Sequence, residues 1–176
     1  MNRKLTSGGF TLVELLTVIA IIAVLMGLLF PTINAVKESA RKAQAKNDVT
    51  QLVTAVKAYY TEYGKYPGGL SSDGAVDMGT LIPILIGEDE AENPREIVFF
   101  EGKQATEDGR YGVSEDGTEF LDPWSESYVV HIDADYDNEI SNPIDAGPDT
   151  LRSGVIAYST GKDGDAGTND DVASWE

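Results

Sequence analysis

"GGFTLVELLTVIAIIAVLMGLLFP", residues 8–31, decides how the rest of the chain is read. Residues 10–30 carry one charge, Glu14. About 20 consecutive apolar residues in a helix match the hydrocarbon thickness of a bilayer. The core helix of a soluble protein rarely runs so long without polar relief. A cleaved secretory signal would be shorter and end at a small-residue, A-x-A-like site. Here the run passes through "LLFPTINAV" (28–36) without one. The stretch reads as a membrane span. A carboxylate inside it costs about 2.5–3.5 kcal/mol near the bilayer centre, and less near an end, where it snorkels.

Glu14 gains a partner if the chain is cut between Gly9 and Phe10. The new α-amino group then lies four residues, one helical turn, before the carboxylate. The two charges can pair within a subunit or between neighbours. The small residues Gly8 and Gly9 open the backbone to a peptidase, and "MNRKLTSGG" is a short basic piece with little to fold.

"GGFTLVELL" resembles the class III signal of type IV pilins and of the pseudopilins of type II secretion. The resemblance implies cleavage after Gly9 by a prepilin peptidase and N-methylation of Phe10. It also implies that Glu14, fifth in the mature chain, neutralises the N-terminus of an adjacent subunit during assembly. Pro31 falls where these families often place a helix-kinking proline. The basic flanks pull the other way: Arg3 and Lys4 precede the span, and Lys37, Arg41, Lys42 and Lys46 follow it. That distribution does not favour an N-terminus on the cytoplasmic side. The cleavage motif outvotes it, because the later cations belong to a helix that continues past the span.

Ile33, Val36, Ala40, Ala43, Val49, Leu52, Val53, Val56 and Tyr60 recur mostly every three or four residues, the amphipathic period. "YGKYPGG" (63–69) stops the pattern. A helix over 10–63 would be roughly 80 Å long at about 1.5 Å per residue, more than a small domain needs for its own core. Beyond it, "DMGTLIPILIG" (77–87) reads as a short helix or turn. "REIVFFEG" (95–102), "SYVVHIDADYD" (127–137) and "GVIAYSTG" (154–161) read as strands, with a turn at Asp122-Pro123. Tyr128, Val130 and Ile132 share one face by alternation. The expected fold is α+β: a long N-terminal helix, its first half transmembrane, packed on a small antiparallel β-sheet head. The expected divisions are a leader, 1–9; a transmembrane and assembly helix, 10–30; its amphipathic continuation, 31–63; and the head, 64–176.

Charge is unevenly spread. Residues 1–57 hold seven Lys or Arg and three acids, whereas residues 58–176 hold six and twenty-seven. The acidic head repels nucleic acid and suits a divalent cation. No cysteine is present, so there is no disulfide, and the lone histidine, His131, cannot form a histidine metal cluster.

In "STGKDGDAGTNDDVASWE" (159–176), Asp163, Asp165, Asp170 and Asp171 are interleaved with Gly161, Gly164 and Gly167. Ca²⁺ takes six to eight oxygens from carboxylates and backbone carbonyls, and glycine lets the backbone turn its carbonyls inward. Composition alone leaves a solvated acidic tail equally open. The resemblance to the major pseudopilin decides it. That family is similar in a "YxxYGxYP" segment (60–67), a "DPW" turn and a final Ca²⁺ loop with an Asp-Asp pair seven residues after its first Asp. It implies side-chain ligation by Asp163, Asp170 and Asp171. Carbonyls of Thr160 and Thr168, and of Val172 as a further candidate, complete the shell. Thr160 replaces the family's usual Leu. Asp165 has no counterpart, and Trp175 is expected to pack over the loop. A second cluster, Asp133, Asp135, Asp137 and Glu139, begins like an EF-hand loop. It lacks the glycine at the sixth position and the acid at the twelfth, so a polar turn is the favoured reading.

The resemblance implies a structural subunit, not an enzyme, on the bacterial inner membrane with a single pass and a periplasmic head. Its partners would be copies of itself and minor pseudopilins in a helical fibre that moves proteins out through type II secretion. The prepilin peptidase, an inner-membrane platform protein and a secretion ATPase would serve it, since no G-x-x-x-x-G-K-[ST] is present. Alternatives are a type IV pilin of a surface filament, which more often carries a cysteine-bounded loop, and a membrane-anchored Ca²⁺-dependent adhesin.

Overall fold

The structure, a computed structural model, describes residues 11–105, 111–144 and 147–175, without the side chains of residues 29–32. The predicted processing residues Gly9 and Phe10 lie outside the described residues, as does the side chain of Pro31. Helix α1 spans Leu12–Tyr63, and its backbone stays helical through Gly27 and Pro31. It ends where Gly64 takes a left-handed φ of 69° and donates its N–H to Tyr60 O at 2.8 Å, a glycine-capped end. The chain divides into two compact units meeting at residues 40 and 41, so the second half of α1 belongs to the head.

In the head, α1 buries Ala45, Val49, Leu52, Val56 and Tyr59. Those residues lie three or four apart and form one stripe. The stripe differs from the sequence expectation at its ends. Tyr59, not Tyr60, enters the core, while Ala43, Ile33 and Val36 are exposed. One residue is a rotation of about 100° on a helix, and the flanking alanines gave the periodicity no sharp edge.

Helix α2, Met78–Ile86, starts at Asp77, whose carboxylate accepts the Thr80 N–H, and ends at Gly87 in the left-handed region. Leu81, Ile82, Ile84 and Leu85 are fully buried. Each contributes about 1.5–3 kcal/mol, enough to hold a helix that carries Pro83 inside. Residues 95–102 do not form the expected strand. The N–H groups of Phe99 and Phe100 both go to Leu85 O, at 2.8 and 3.1 Å. The apolar run is used to tuck Phe100 beneath α2, not to join a ladder.

The main sheet has the order β1 (Gly74–Val76), β4 (Val129–Ile132), β7 (Val155–Ser159), β8 (Val172–Ala173), antiparallel throughout. Two small hairpins flank it, β2 (Gly112–Val113) with β3 (Phe120–Leu121) and β5 (Ile140–Ser141) with β6 (Thr150–Leu151). On β4, Val130 and Ile132 face the core beside Tyr128, as alternation predicts. On β7 all five residues are buried. Val155 and Ala157 join the main core. Ile156 packs with Ile140, Leu151 and Trp175, and Tyr158 with Ile144, Ala173 and Trp175. A strand covered on both faces loses its alternation.

Candidate functional site

Three features carry chemistry: the start of α1, the loop after β7 and the loop after β4. At the first, Thr11 and Glu14 form a reciprocal capping box. Glu14 Oε2 accepts the Thr11 N–H at 2.9 Å and its hydroxyl at 2.7 Å, and Thr11 Oγ1 accepts the Glu14 N–H at 3.2 Å. Sequence reading missed Thr11, although T-x-x-E ahead of an apolar run signals this arrangement. From there the helix presents apolar side chains on every side. The large apolar residues from Leu12 to Leu28 are 45 to 80% exposed. The segment is long and apolar enough to cross a membrane.

The loop after β7 is tied to the DPW turn. Asp122 is fully buried. Its Oδ1 accepts the N–H groups of Trp124 and Glu126 at 2.8 and 3.0 Å, and its Oδ2 accepts the Ser159 hydroxyl at 2.5 Å. Ser159 Oγ in turn accepts the Gly161 N–H at 3.1 Å. Gly161 has φ +69°, and a Cβ there would lie 2.5 Å from Asp170 O. The turn thus needs glycine twice over, for its φ and for its space.

Asp170 Oδ2 accepts the N–H groups of Lys162 and Asp163 at 2.6 and 3.1 Å. Thr168 Oγ1 reaches Asp170 Oδ1 at 2.7 Å and Asp163 Oδ1 at 3.3 Å. The Thr168 hydroxyl, which sequence reading passed over in favour of its carbonyl, is what joins these two acids. Asp171 Oδ2 accepts the N–H groups of Gly167 and Thr168 at 2.7 and 3.2 Å. Asp165 donates its N–H to Asp163 Oδ1. Thr160 sits half-buried at the loop's entry. The Thr168 hydroxyl, then the Lys162 and Asp163 amides, hold the Asp170 carboxyl down at about 2. Asp171 Oδ1 is buried with no hydrogen-bond partner. A buried carboxylate oxygen without a donor is disfavoured unless a positive group reaches it. Trp175 packs on Tyr158, with ring centroids 6.2 Å apart, and on Ile156, so it covers the sheet.

In the loop after β4 the structure brings together Asp133, Asp135 and Asp137. It adds Asp73, sixty residues earlier, with one oxygen from each within 4.8 Å of the others. Glu139 is not among them; its Oε1 lies 3.8 Å from Arg152 Nε. His131, on β4, is half-buried, and burial lowers its pKa.

Comparison with known proteins follows the same lines. Residues 5–30 match the family model described as the prokaryotic N-terminal methylation motif. The type II secretion system core protein G of Escherichia coli (strain K12) is 31% identical over 95% of this chain and 90% of its own length. The chain belongs to the type II secretion system core protein G family. The core protein G of Aeromonas hydrophila is 28% identical over 98% of this chain and 95% of its own. The type IV major pilin protein PilA of Myxococcus xanthus (strain DK1622) is 34% identical over 51% of this chain and 43% of its own. No solved structure gives a significant match. Membership explains why one apolar helix precedes the head: this is a membrane-anchored pseudopilin with a methylation motif at its start.

Proposed function

We propose that the chain is a structural subunit of a periplasmic pseudopilus that polymerises to drive protein export through a type II secretion system. The observation that supports this is the apolar segment of α1, exposed on every side, in a chain similar to core protein G over nearly its whole length. Side chains left open in that way need a lipid or protein surround. The bilayer supplies one before assembly, and the packed helices of neighbouring subunits supply the other within the fibre. Such assembly is head to tail and does not close.

In this reading the prepilin peptidase removes residues 1–9 and Phe10 is methylated. The helix passes once through the inner membrane with its head in the periplasm. Copies of the chain and minor pseudopilins form the fibre, and an inner-membrane platform protein and a secretion ATPase drive it. Glu14 cancels the freed amine of a neighbour, with Pro31 in the assembly segment. Ca²⁺ held by Asp163, Asp170 and Asp171, with carbonyls of Thr160 and Thr168, would stiffen the head for stacking. The orphaned Asp171 Oδ1 supports a cation there.

Two substitutions separate the roles of Glu14. Glu14→Gln keeps an acceptor for the capping box and removes the charge; Glu14→Val removes both. Both variants should insert in the membrane and fail to build fibres, scored by shearing and sedimentation. Normal fibres from Glu14→Gln would sink the charge-pairing role and leave only the cap. For the loop, Asp170→Ala should lower head stability with chelator present, through the lost hydrogen bonds of Asp170, and by a larger amount when Ca²⁺ is present. A parent protein equally stable with and without chelator would dismiss the cation.

The PilA similarity favours a second reading, a subunit of a type IV surface filament. Fibres visible outside intact cells at native expression would select it.

A further inference from the structure

We propose a second cation site, independent of the loop after β7, formed by Asp73, Asp133, Asp135 and Asp137 and taking a hard divalent ion of Ca²⁺ type. The site is built by strand pairing. β1 runs beside β4 with Gly74 opposite Ile132, which sets Asp73 against the residues that leave β4. Asp73 Oδ1 accepts the N–H groups of Ala134 and Asp135 at 2.7 and 3.4 Å. Asp133 Oδ2 accepts the Asn138 N–H at 2.8 Å and closes the loop. Asp135 Oδ1 and Asp137 Oδ1 accept the N–H groups of Asp137 and Glu139. Tyr136 anchors the loop tip by stacking on Tyr66, with centroids 5.5 Å apart.

The decisive atom is Asp133 Oδ1. Asp133 is 2% exposed, and this oxygen is itself buried without a hydrogen-bond partner among the described residues. A desolvated carboxylate oxygen without a donor is strongly disfavoured unless something positive reaches it. The same carboxylate offers an oxygen within 4.8 Å of oxygens from the three other acids. No lysine or arginine pairs with any of the four among the described residues. Ca²⁺ sits about 2.3–2.6 Å from its oxygens, so ligands on opposite sides of it are about 5 Å apart. The four carboxylates already fit inside that span. An all-oxygen, all-anionic set with no nitrogen or sulfur selects a hard ion over a transition metal. The loop does this without the EF-hand pattern, because the fourth acid, Asp73, comes from the residue just before β1, far away in sequence.

The test counts ions on the full chain, purified in detergent and stripped with EDTA. Equilibrium dialysis against Ca²⁺ alone gives ions bound per chain. Asp73→Asn and Asp137→Asn each keep an amide oxygen for the backbone N–H they now accept, and both residues are exposed, so folding is retained. Each should bind one Ca²⁺ fewer than the parent, or bind that ion roughly tenfold or more weakly. Asp170→Ala should leave this ion in place. Unchanged stoichiometry and affinity in both Asp73→Asn and Asp137→Asn overturn the site, whatever Asp170→Ala does. Loss of an ion in Asp170→Ala alone would assign all binding to the loop after β7.

Discussion

Asp122 and Ser159 share a 2.5 Å hydrogen bond, with the Ser159 hydroxyl donating to a fully buried carboxylate oxygen. This bond fastens the DPW turn to the strand end from which the acidic loop departs. Ser159 Oγ also receives the Gly161 N–H, so a single hydroxyl orders both sides. Ser159→Ala leaves a buried acceptor and an amide unpaired, and should cost about 1–3 kcal/mol. Thermal unfolding of the head with chelator present measures it. A loss within experimental error would mean that the turn and the loop are not coupled.

Gly161 and Gly64 both take φ of +69°. Around Gly64 a Cβ meets nothing within 4 Å, whereas at Gly161 it meets the Asp170 backbone. Gly64→Ala should therefore cost only the left-handed backbone penalty, about 1–2 kcal/mol. Gly161→Ala should cost distinctly more, since the colliding atoms are main chain. Equal losses in denaturant melts would show that the loop yields freely.

Asp48 lies on α1, 4% exposed. It accepts hydrogen bonds from Tyr128 Oη at 2.7 Å, Tyr111 Oη at 3.2 Å and Gln44 Nε2 at 2.9 Å. Burial raises its pKa above the ordinary 3.8, against the lowering effect of those donors. The folded head therefore holds this proton more tightly than the unfolded chain. The stabilisation is full below pH 3.8 and is lost as pH rises through the raised value. The difference in melting temperature between the parent and Asp48→Asn should shift against the parent from about pH 3 to pH 6. A shift in the parent's favour over that range would contradict the burial argument.

The sequence was informative where one period governed one face. The apolar run, the α1 stripe and the alternation of Tyr128, Val130 and Ile132 were all legible. Legibility failed where a segment served two surroundings or depended on distant pairing. β7 is buried on one face by the main core and on the other by the short β5–β6 hairpin and Trp175, so no alternation is left. The apolar residues 97–100 look like a strand, but Phe99 and Phe100 spend their amides on Leu85 O and Ile97 spends its own on Asn93 Oδ1. Asp73 meets the Asp133 loop only through the β1–β4 register, which local spacing cannot express. Glu139 belonged to the cluster by proximity in sequence, yet it faces Arg152. In the loop after β7, that Asp163, Asp170 and Asp171 share one turn was legible from their spacing. The bridging Thr168 hydroxyl was not, because its role depends on a turn closed by three glycines.

The account rests on release of a new N-terminus one turn before Glu14, and intact mass spectrometry of the chain from cells carrying the secretion system tests it most directly. The expected species lacks residues 1–9 and begins at Phe10 with one added methyl group. A mature, membrane-extracted protein that retains Met1 would contradict the account.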